Sequence, residues 1–253
     1  NWQFEQGHIL MIGAPGVMVQ GITAVGAVNS DKRWGQVVEG CKRFTKRIDP
    51  KPAHERRAIV ACYGPSLAST MDNLKHEASH PDADVFSVSG AHDFLIEHGV
   101  VPTFHIECDP RPHKSDNIAR AHPGVAYLLA STCHEVLFDK LGNADVRLWH
   151  VSTPEHAMRI VDELGEKREH VISGGGSVGL RSIPLLYALG YRDIYLFAMD
   201  CSFADDGARQ WAGKHAGKRQ DVVDVCDRDG RVWKSSPVLL TYATNFFECV
   251  QKV

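Results

Sequence analysis

The feature that most constrains the fold is an alternation of short apolar runs with helical patterns from residue 58 onward. Each run has the length of a strand, and the segments between runs carry apolar residues at helical spacing. The runs cover residues 58–63, 85–89, 103–108, 125–130, 146–151 and 194–199. This alternation predicts βαβ units and an α/β fold, with a mostly parallel sheet and helices on both faces.

The beginning of the chain differs from this pattern. A glycine-rich opening is followed by a basic stretch that ends in two prolines at 50 and 52. We therefore predict a small N-terminal appendage and linker over residues 1–52 and the main domain over residues 53–253. The turn at 13–16 lacks the Gly-Lys-Ser/Thr ending of a P-loop, which predicts a plain turn. The chain begins at Asn1 instead of a methionine, so further upstream sequence is expected.

Composition argues against two classes of partner. Lys and Arg number 28 against 31 Asp and Glu, a balance that provides no field to hold nucleic acid. The apolar run at 9–19 is interrupted by glycine and proline and is far shorter than the ~20 residues that span a bilayer, so no membrane partner is expected. The seven cysteines are odd in number and never spaced Cys-x-x-Cys, which favours a reducing, cytoplasmic location.

Parallel sheets bind ligands beyond the carboxyl ends of their strands, so the residues that end each run are site candidates. Gly64, Pro65 and Ser66 follow the first run. Glycine allows a ligand to approach the backbone, Pro65 fixes the turn, and Ser66 is expected to cap a helix over 67–75. The free N–H groups of such a helix would bind a phosphate. A strand-to-helix turn without a ligand is the alternative.

A second candidate is a glycine-rich segment formed by Ser173, Gly174, Gly175, Gly176 and Ser177. Three consecutive glycines cost conformational entropy and suit a place where the backbone closely approaches a phosphate or sugar. The alternative is a flexible loop. Pro184 is expected to weaken or kink the helix that follows.

Carboxylates also end two of the runs. Alternation places His105, Glu107 and Asp109 on one face of a strand, and Asp200 ends the run at 194–199. We predict that Asp109 contacts ligand hydroxyls or holds a divalent cation, and that Asp109 and Asp200 face one crevice. The alternative for the first strand is a solvent-exposed face.

The long polar segment at 203–224 predicts a lid over the site, with an ordinary surface excursion as the alternative. His215 lies in it beside Trp211 and Lys214, and a histidine can serve as general base for a hydroxyl nucleophile. A cysteine nucleophile at Cys62 or Cys133 stays open.

Several segments, taken in order, resemble one family. They are Gly64-Pro65-Ser66-Leu67, residues 99–104 followed by Asp109-Pro110, residues 173–179, residues 189–196 with Asp200, and residues 229–236 followed by Tyr242 and Phe247-Glu248. The family is the MptE-like domain family, which includes archaeal 6-hydroxymethylpterin diphosphokinases and the motility-associated-factor (Maf) proteins of flagellated bacteria. The resemblance covers about residues 58–250.

The resemblance implies a Rossmann-like core in which the Gly-Pro-Ser turn and the glycine-rich segment surround a nucleotide. It implies a nucleotide-dependent transferase, with glycosyl transfer from a CMP-nonulosonate-type sugar to a hydroxyl acceptor as the first reading. A pyrophosphokinase acting with ATP on a pterin-like alcohol and a non-catalytic nucleotide-binding protein are the alternatives. The nucleotide is a substrate, and Mg²⁺ is expected for the ATP reaction and optional for the sugar reaction. The predicted site combines catalytic and nucleotide-binding residues: His215, Asp109, Asp200, Gly64, Pro65, Ser66, Ser173, Gly174, Gly175, Gly176 and Ser177.

Overall fold

The computed structural model describes most of the chain: residues 30–152, 159–160, 162–164, 170–205, 207, 210–213, 221–227 and 229–250. Seven strands form one sheet in which every neighbouring pair is parallel. They are β1 His54–Ala61, β2 Ala83–Val88, β3 Phe104–Glu107, β4 Ala126–Ala130, β5 Asp145–Val151, β6 Val171–Ile172 and β7 Tyr191–Phe197. The predicted α/β fold of Rossmann-like type is thereby confirmed.

Helices cover both faces of this sheet. They are α1 Ser30–Arg43, α2 Met71–Ala78, α3 Ala91–Glu97, α4 Glu135–Leu141, α5 Val178–Ala188 and α6 Pro237–Val250, with 3₁₀ helices at Pro65–Thr70 and Pro112–Asn117. Successive side chains of a strand point to opposite faces, and β1 illustrates the result. Ile59 packs in one apolar cluster with Leu74 of α2 and Leu95 of α3. Val60 packs in another with Leu185 of α5.

The strand order determines where a ligand site can form. The order across the sheet is β6-β5-β4-β3-β2-β1-β7. The chain therefore builds outward from β1 to β6, then crosses back and places β7 on the free side of β1. The carboxyl ends of β1 and β7 meet at this reversal, which is where open α/β sheets bind ligands.

All six predicted runs correspond to strands, with shifted boundaries. The observed β1 begins at His54 and β7 at Tyr191, earlier than predicted. The apolar runs miss these beginnings because both contain exposed charged residues, Glu55 and Arg56 in β1 and Arg192 and Asp193 in β7. The two-residue β6 is too short to give a periodic signal. The sequence analysis also did not predict the antiparallel hairpin of β8 Val223–Cys226 and β9 Val232–Ser235.

Part of the predicted N-terminal appendage lies against the sheet. The Phe44 ring packs edge-on against Phe138 of α4, with 5.2 Å between ring centroids. The Ile48 N–H donates to the Leu148 carbonyl and the Leu148 N–H to the Lys46 carbonyl, both at 3.0 Å. The division at residues 52 and 53 stays a prediction, and the turn at 13–16 lies outside the described residues.

Within the described part of the chain, every helix is too short or too polar to pass through a bilayer.

Candidate functional site

The turn after β1 is joined to the end of β7. The Gly64 N–H donates to the Ala198 carbonyl at 3.1 Å. A Cβ added to Gly64 would lie 2.4 Å from Asp200 Oδ2 and 2.5 Å from the Ala198 oxygen, so no larger residue fits. The glycine therefore permits a close approach between two strand ends of the same chain.

Asp200 holds the Ser66 end of this turn. Asp200 Oδ2 accepts a hydrogen bond from the Ser66 N–H at 2.8 Å, and Oδ1 accepts one from Ser66 Oγ at 2.5 Å. The expectation that Ser66 caps its own helix was wrong, because the 3₁₀ helix has Gly64 at its N-cap with no side-chain cap and α2 begins only at Met71. The Asp200 carboxylate occupies one of the N–H groups on which the phosphate prediction relied.

Asp109 follows β3 and is paired with two cations. Its Oδ1 accepts hydrogen bonds from the Arg111 N–H at 3.1 Å and Arg111 Nε at 2.8 Å, and Oδ2 accepts from Arg111 Nη2. Lys114 Nζ lies 3.6 Å from Oδ2. Burial by itself raises the pKa of Asp109, but the Arg111 hydrogen bonds and the Lys114 charge outweigh burial and lower it. The carboxylate is therefore held ionised.

Glu107 is enclosed beside this pair, at 1% exposure. Its Oε1 accepts hydrogen bonds from the N–H groups of Cys108 at 2.8 Å and Asp109 at 2.9 Å. Its Oε2 is buried and has no partner among the described residues. Burial raises the pKa of Glu107, against the opposing charge of Lys114. The alternative of a solvent-exposed face on this strand is contradicted.

His105 belongs to the interior as well. It is fully buried, and its Nδ1 lies 3.0 Å from Ser87 Oγ. Burial, with a smaller effect of His92, lowers the pKa of His105 well below its ordinary value. The ring packs edge-on against His92, whose Nε2 lies 3.0 Å from the Tyr127 hydroxyl. His105 is thus part of a buried polar network beneath the sheet edge.

The glycine-rich segment leads into α5. Ser177 is the N-cap, since its Oγ accepts a hydrogen bond from the Leu180 N–H at 3.2 Å. Gly174 and Gly175 have φ angles of +115° and +38°, a region that L side chains rarely adopt. A Cβ on Gly175 would lie 2.2 Å from Leu180 Cβ, and one on Gly174 would lie 2.9 Å from Pro184 Cγ. The chain itself therefore requires these two glycines.

The helix runs unbroken through Pro184 to Ala188, and its weakening or kinking at the proline stays a prediction. The open space at Gly174 accommodates the proline ring, because only a glycine leaves room beside Pro184 Cγ. Gly174 therefore packs directly against Pro184.

Three side chains that the sequence analysis did not assign to the site converge near these predicted residues: Arg181, Arg111 and Tyr242. Arg181 Nη2 donates to the Gly175 carbonyl at 2.8 Å, while Nη1 is buried and has no partner among the described residues. Tyr242 lies against Gly176, where an added Cβ would be 2.9 Å from its ring. Burial raises the pKa of Tyr242 and the nearby Arg111 charge opposes this, so Tyr242 faces both groups of residues.

The positions of Arg181 and Arg111 in the sequence, each close to a predicted site residue, could have indicated that they belong to the site. Arg181 lies in the first turn of the helix after the glycine-rich segment, and Arg111 lies two residues after the strand-end Asp109. Tyr242 lies on α6, far along the chain, and no local pattern connects it with the glycines.

The two predicted carboxylates share an edge of the sheet but are not neighbours. Asp109 follows β3 and Asp200 follows β7, with β2 and β1 between them. Three strand spacings correspond to about 14 Å. Among the described residues, no group of three potential metal ligands includes either carboxylate. A cation at Asp109 would therefore need further ligands from water or a bound nucleotide.

The described parts of the predicted lid are residues 203–205, 207, 210–213 and 221–224. The Ala212 N–H donates to the Tyr63 carbonyl at 3.2 Å, which brings residues 210–213 beside the turn at Gly64. The predicted base His215, together with Lys214, lies outside the described residues.

The cysteine alternative has little support. All seven cysteines lie among the described residues, and none of them forms a disulfide bond. Cys62 and Cys133 are buried, and burial raises the pKa of both thiols strongly. A thiol nucleophile reacts as the thiolate, which these surroundings disfavour.

The fold and the site define an α/β protein of Rossmann-like type with a cation-rich cluster at the carboxyl edge of its sheet. A family model described as 6-hydroxymethylpterin diphosphokinase MptE-like matches residues 34–206, more than half of the chain. The chain belongs to the MptE-like family, as its motifs suggested.

One solved structure similar to this chain is a Maf glycosyltransferase from Magnetospirillum magneticum AMB-1. The TM-score is 0.64 at 17% sequence identity, over 88% of this chain and 34% of that chain. At this identity the likeness is one of fold, and the present chain spans about a third of that protein. No curated protein matches this chain.

Proposed function

We propose that this chain is a nucleotide-dependent transferase that moves a glycosyl group from a nucleotide-activated sugar of the CMP-nonulosonate type to a hydroxyl acceptor. The observation that carries the proposal is the unpartnered, buried Nη1 of Arg181 beside the glycine-rich segment. A buried donor without an acceptor is costly, and a guanidinium group is well suited to bind phosphate oxygens. The donor phosphate would supply the missing acceptor.

The charge balance around Arg181 supports an anionic ligand. Arg111, Lys114 and Arg181 bring three positive charges, against the two carboxyl groups of Glu107 and Asp109. Because burial raises the pKa of Glu107, its negative charge is disfavoured. The cluster therefore carries a net positive charge that a phosphate would neutralise.

The other predicted residues receive roles consistent with this arrangement. The turn at Gly64, Pro65 and Ser66 and the segment at 173–177 would flank the nucleotide. Asp200 accepts one hydrogen bond on each oxygen and would position hydroxyl groups through its remaining lone pairs. Asp109 already accepts two hydrogen bonds on each oxygen, so a ligand hydroxyl or a cation would replace one of its Arg111 contacts. His215 is proposed as the base that deprotonates the acceptor.

Pyrophosphoryl transfer from ATP is the second candidate, and the description of the matching family favours it. Mg²⁺ separates the two reactions, because the triphosphate needs a metal to neutralise its charge whereas glycosyl transfer does not. Asp109 would then contribute one ligand to the metal. A non-catalytic binding protein would bind the nucleotide but would not slowly hydrolyse a donor in the absence of acceptor.

The decisive experiment measures nucleotide binding by wild type and by two arginine variants. CMP, UDP, ADP and ATP are screened by thermal shift with and without Mg²⁺, and the best ligand is titrated by calorimetry. A ligand at 100 times its Kd should add about 2.7 kcal/mol of stability. Arg181→Ala should weaken binding about 10- to 100-fold, the effect of losing a charged hydrogen bond. Arg192→Ala is the control, since Arg192 is exposed on β7 and stacks over Tyr187.

Equal nucleotide affinity in wild type and Arg181→Ala would contradict the phosphate assignment. Binding only in the presence of Mg²⁺, with ATP preferred, would favour the pyrophosphokinase. Binding of CMP without metal, together with slow hydrolysis of a CMP-sugar, would support glycosyl transfer.

A further inference from the structure

The end of α2 carries three potential metal ligands in a row of five residues. His76, Glu77 and His80 each offer one ligand atom, and these atoms all lie within 4.8 Å of one another. It is the one such group of three found among the described residues. We propose that His76, Glu77 and His80 bind one divalent transition-metal ion, with zinc the best match.

The distances are close to those of an occupied site. His80 Nε2 lies 4.0 Å from Glu77 Oε2, and the two imidazole ring centroids are 5.7 Å apart. In a tetrahedral zinc site with bonds of about 2.1 Å, neighbouring ligand atoms are about 3.4 Å apart. His76 is exposed and the other two side chains are partly exposed, so small rotations suffice to close the site. A water molecule would complete the tetrahedron.

The chemistry of the donor set selects the metal. Two imidazole groups and one carboxylate suit zinc and its neighbours in the first transition row, whereas Mg²⁺ and Ca²⁺ prefer sets made only of oxygen. The proposed ion is therefore chemically distinct from the Mg²⁺ considered for the nucleotide reaction.

The surrounding charges favour a cation. Arg57 is the positive charge that contacts Glu77, at 3.7 Å. The same guanidinium lies 3.2 Å from Asp82 and 3.7 Å from Asp193, so one arginine is shared by three carboxylates. The excess negative charge would stabilise a divalent ion. Glu77 Oε2 is the oxygen that faces both Arg57, at 3.7 Å, and His80 Nε2, at 4.0 Å, so a bound ion would share this oxygen with Arg57. The carbonyl end of α2 adds a favourable dipole.

The position of the group separates it from the nucleotide site. His76 and Glu77 lie in the last turn of α2, and His80 lies in the turn that leads into β2. The group therefore belongs to the amino edge of the sheet, opposite the carboxyl edge that carries Asp109 and Arg181. A bound ion would tie the end of α2 to the following turn, and the proposal does not depend on the nucleotide reaction.

The row His76-Glu77-Ala78-Ser79-His80 has the H-E-x-x-H spacing of zinc peptidases. In those enzymes both histidines lie on one helix and the glutamate acts as a base. Here α2 ends at Ala78, with Ser79 as its C-cap, and Glu77 lies among the ligand atoms. The geometry supports metal binding and gives no support to peptide hydrolysis.

The test uses the full chain without a polyhistidine tag, freed of metal with a chelator and titrated with Zn²⁺ by calorimetry. His76→Ala and His80→Ala should each weaken zinc binding by about tenfold or more, since losing even an outer partner of a ligand costs about 10- to 100-fold. His98→Ala is the matched control, because His98 is an exposed histidine at the C-cap of α3. Its zinc affinity should equal that of wild type.

A second readout separates binding from folding. Zinc should raise the Tm of wild type and of His98→Ala, and this shift should disappear in the variant that lacks both His76 and His80. His76 is exposed, so its replacement should leave the metal-free Tm unchanged. Absence of zinc binding in wild type, or equal zinc affinity and equal Tm shifts in all variants, would overturn the proposal.

Discussion

The acidic residues of the site each hold a defined loop. Asp200 accepts two hydrogen bonds from Ser66, and Asp109 accepts several from Arg111. A carboxylate that binds both the N–H and the side chain of one residue fixes that residue's backbone as well as its side chain. The same acids that we propose to contact the donor therefore also order the loops around it.

Glu107 gives a prediction about pH. Burial raises its pKa above the ordinary value of 4.5, so ionising it costs more in the folded chain than in the unfolded chain. As pH rises, the unfolded chain releases this proton first. The folded state therefore loses stability between the pKa of Glu107 in the unfolded chain and its higher pKa in the folded chain. Glutamine cannot ionise. Glu107→Gln should therefore unfold at higher urea than wild type at pH 7, and the two should converge near about pH 4.

The measurement is urea unfolding across this pH range, with Glu97→Gln as control because Glu97 is exposed on α3. The control should follow wild type at every pH. Lower stability of Glu107→Gln at pH 7 would mean that the Glu107 charge is needed by Lys114.

At this scale the sequence identifies strand-end residues but not their partners. Asp109 and Asp200 were found because each follows an apolar run, and the structure places both at the carboxyl edge. The Ser66 partner of Asp200 lies 134 positions away along the chain, so no local pattern connects them. That Arg181 Nη1 is buried without a hydrogen-bond partner can be recognised only from the packing around it.

At the scale of elements, the glycine-rich segment shows how one pattern can have two physical causes. The sequence explains three glycines by the approach of a ligand. The backbone angles of Gly174 and Gly175, and their contacts with Pro184 and Leu180, require glycine before any ligand binds. Replacing Gly175 would therefore disturb folding, and it cannot test nucleotide binding alone.

This gives a prediction about stability with opposite signs at two glycines. Gly175→Ala should lower the free energy of unfolding by about 2 kcal/mol or more, because the left-handed conformation costs about 1–2 kcal/mol and the new Cβ meets Leu180. Gly35→Ala should raise it by roughly 0.5–1 kcal/mol, since Gly35 is an exposed residue of α1 with nothing within 4 Å. Urea unfolding of both variants is the measurement. An unchanged stability of Gly175→Ala would contradict this account of the segment.

Element type was predictable where an apolar run was long enough. The six predicted strands were found because each carries a run of apolar residues; five of them lie mostly in the interior, and β7, at the edge of the sheet, is only partly buried. The β8–β9 hairpin has intermediate burial and polar residues at several positions, and it gave no run. Its first strand, β8, begins at the end of the long polar segment at 203–224, and its pairing with β9 has no signal in the sequence.

At the scale of the whole molecule, strand order is the property that the sequence did not reveal. Alternating strands and helices predict a parallel sheet, but they do not state that β7 returns beside β1. That return brings Gly64 and Asp200 together and leaves Asp109 three strands away. Asp109 and Asp200 can therefore belong to one site, as predicted, only if a single ligand is long enough to reach both.

A double-mutant cycle with Asp109→Asn and Asp200→Asn tests whether one ligand reaches both acids. Residues separated by more than about 7–10 Å without shared partners have additive effects on stability, and the strands that lead into these two lie three spacings apart, about 14 Å. We therefore expect their changes in the free energy of unfolding to add within about 0.5 kcal/mol. A nucleotide donor that touches both carboxylates should lose affinity in each of the two single variants, measured by calorimetry on the same four proteins. The cycle of Asp109→Asn with Asp205→Asn is the control, because the Asp205 side chain is 95% exposed. An unchanged donor affinity in either single variant would mean that the donor contacts at most one of the two acids; if that variant is Asp200→Asn, Asp200 acts only by holding Ser66.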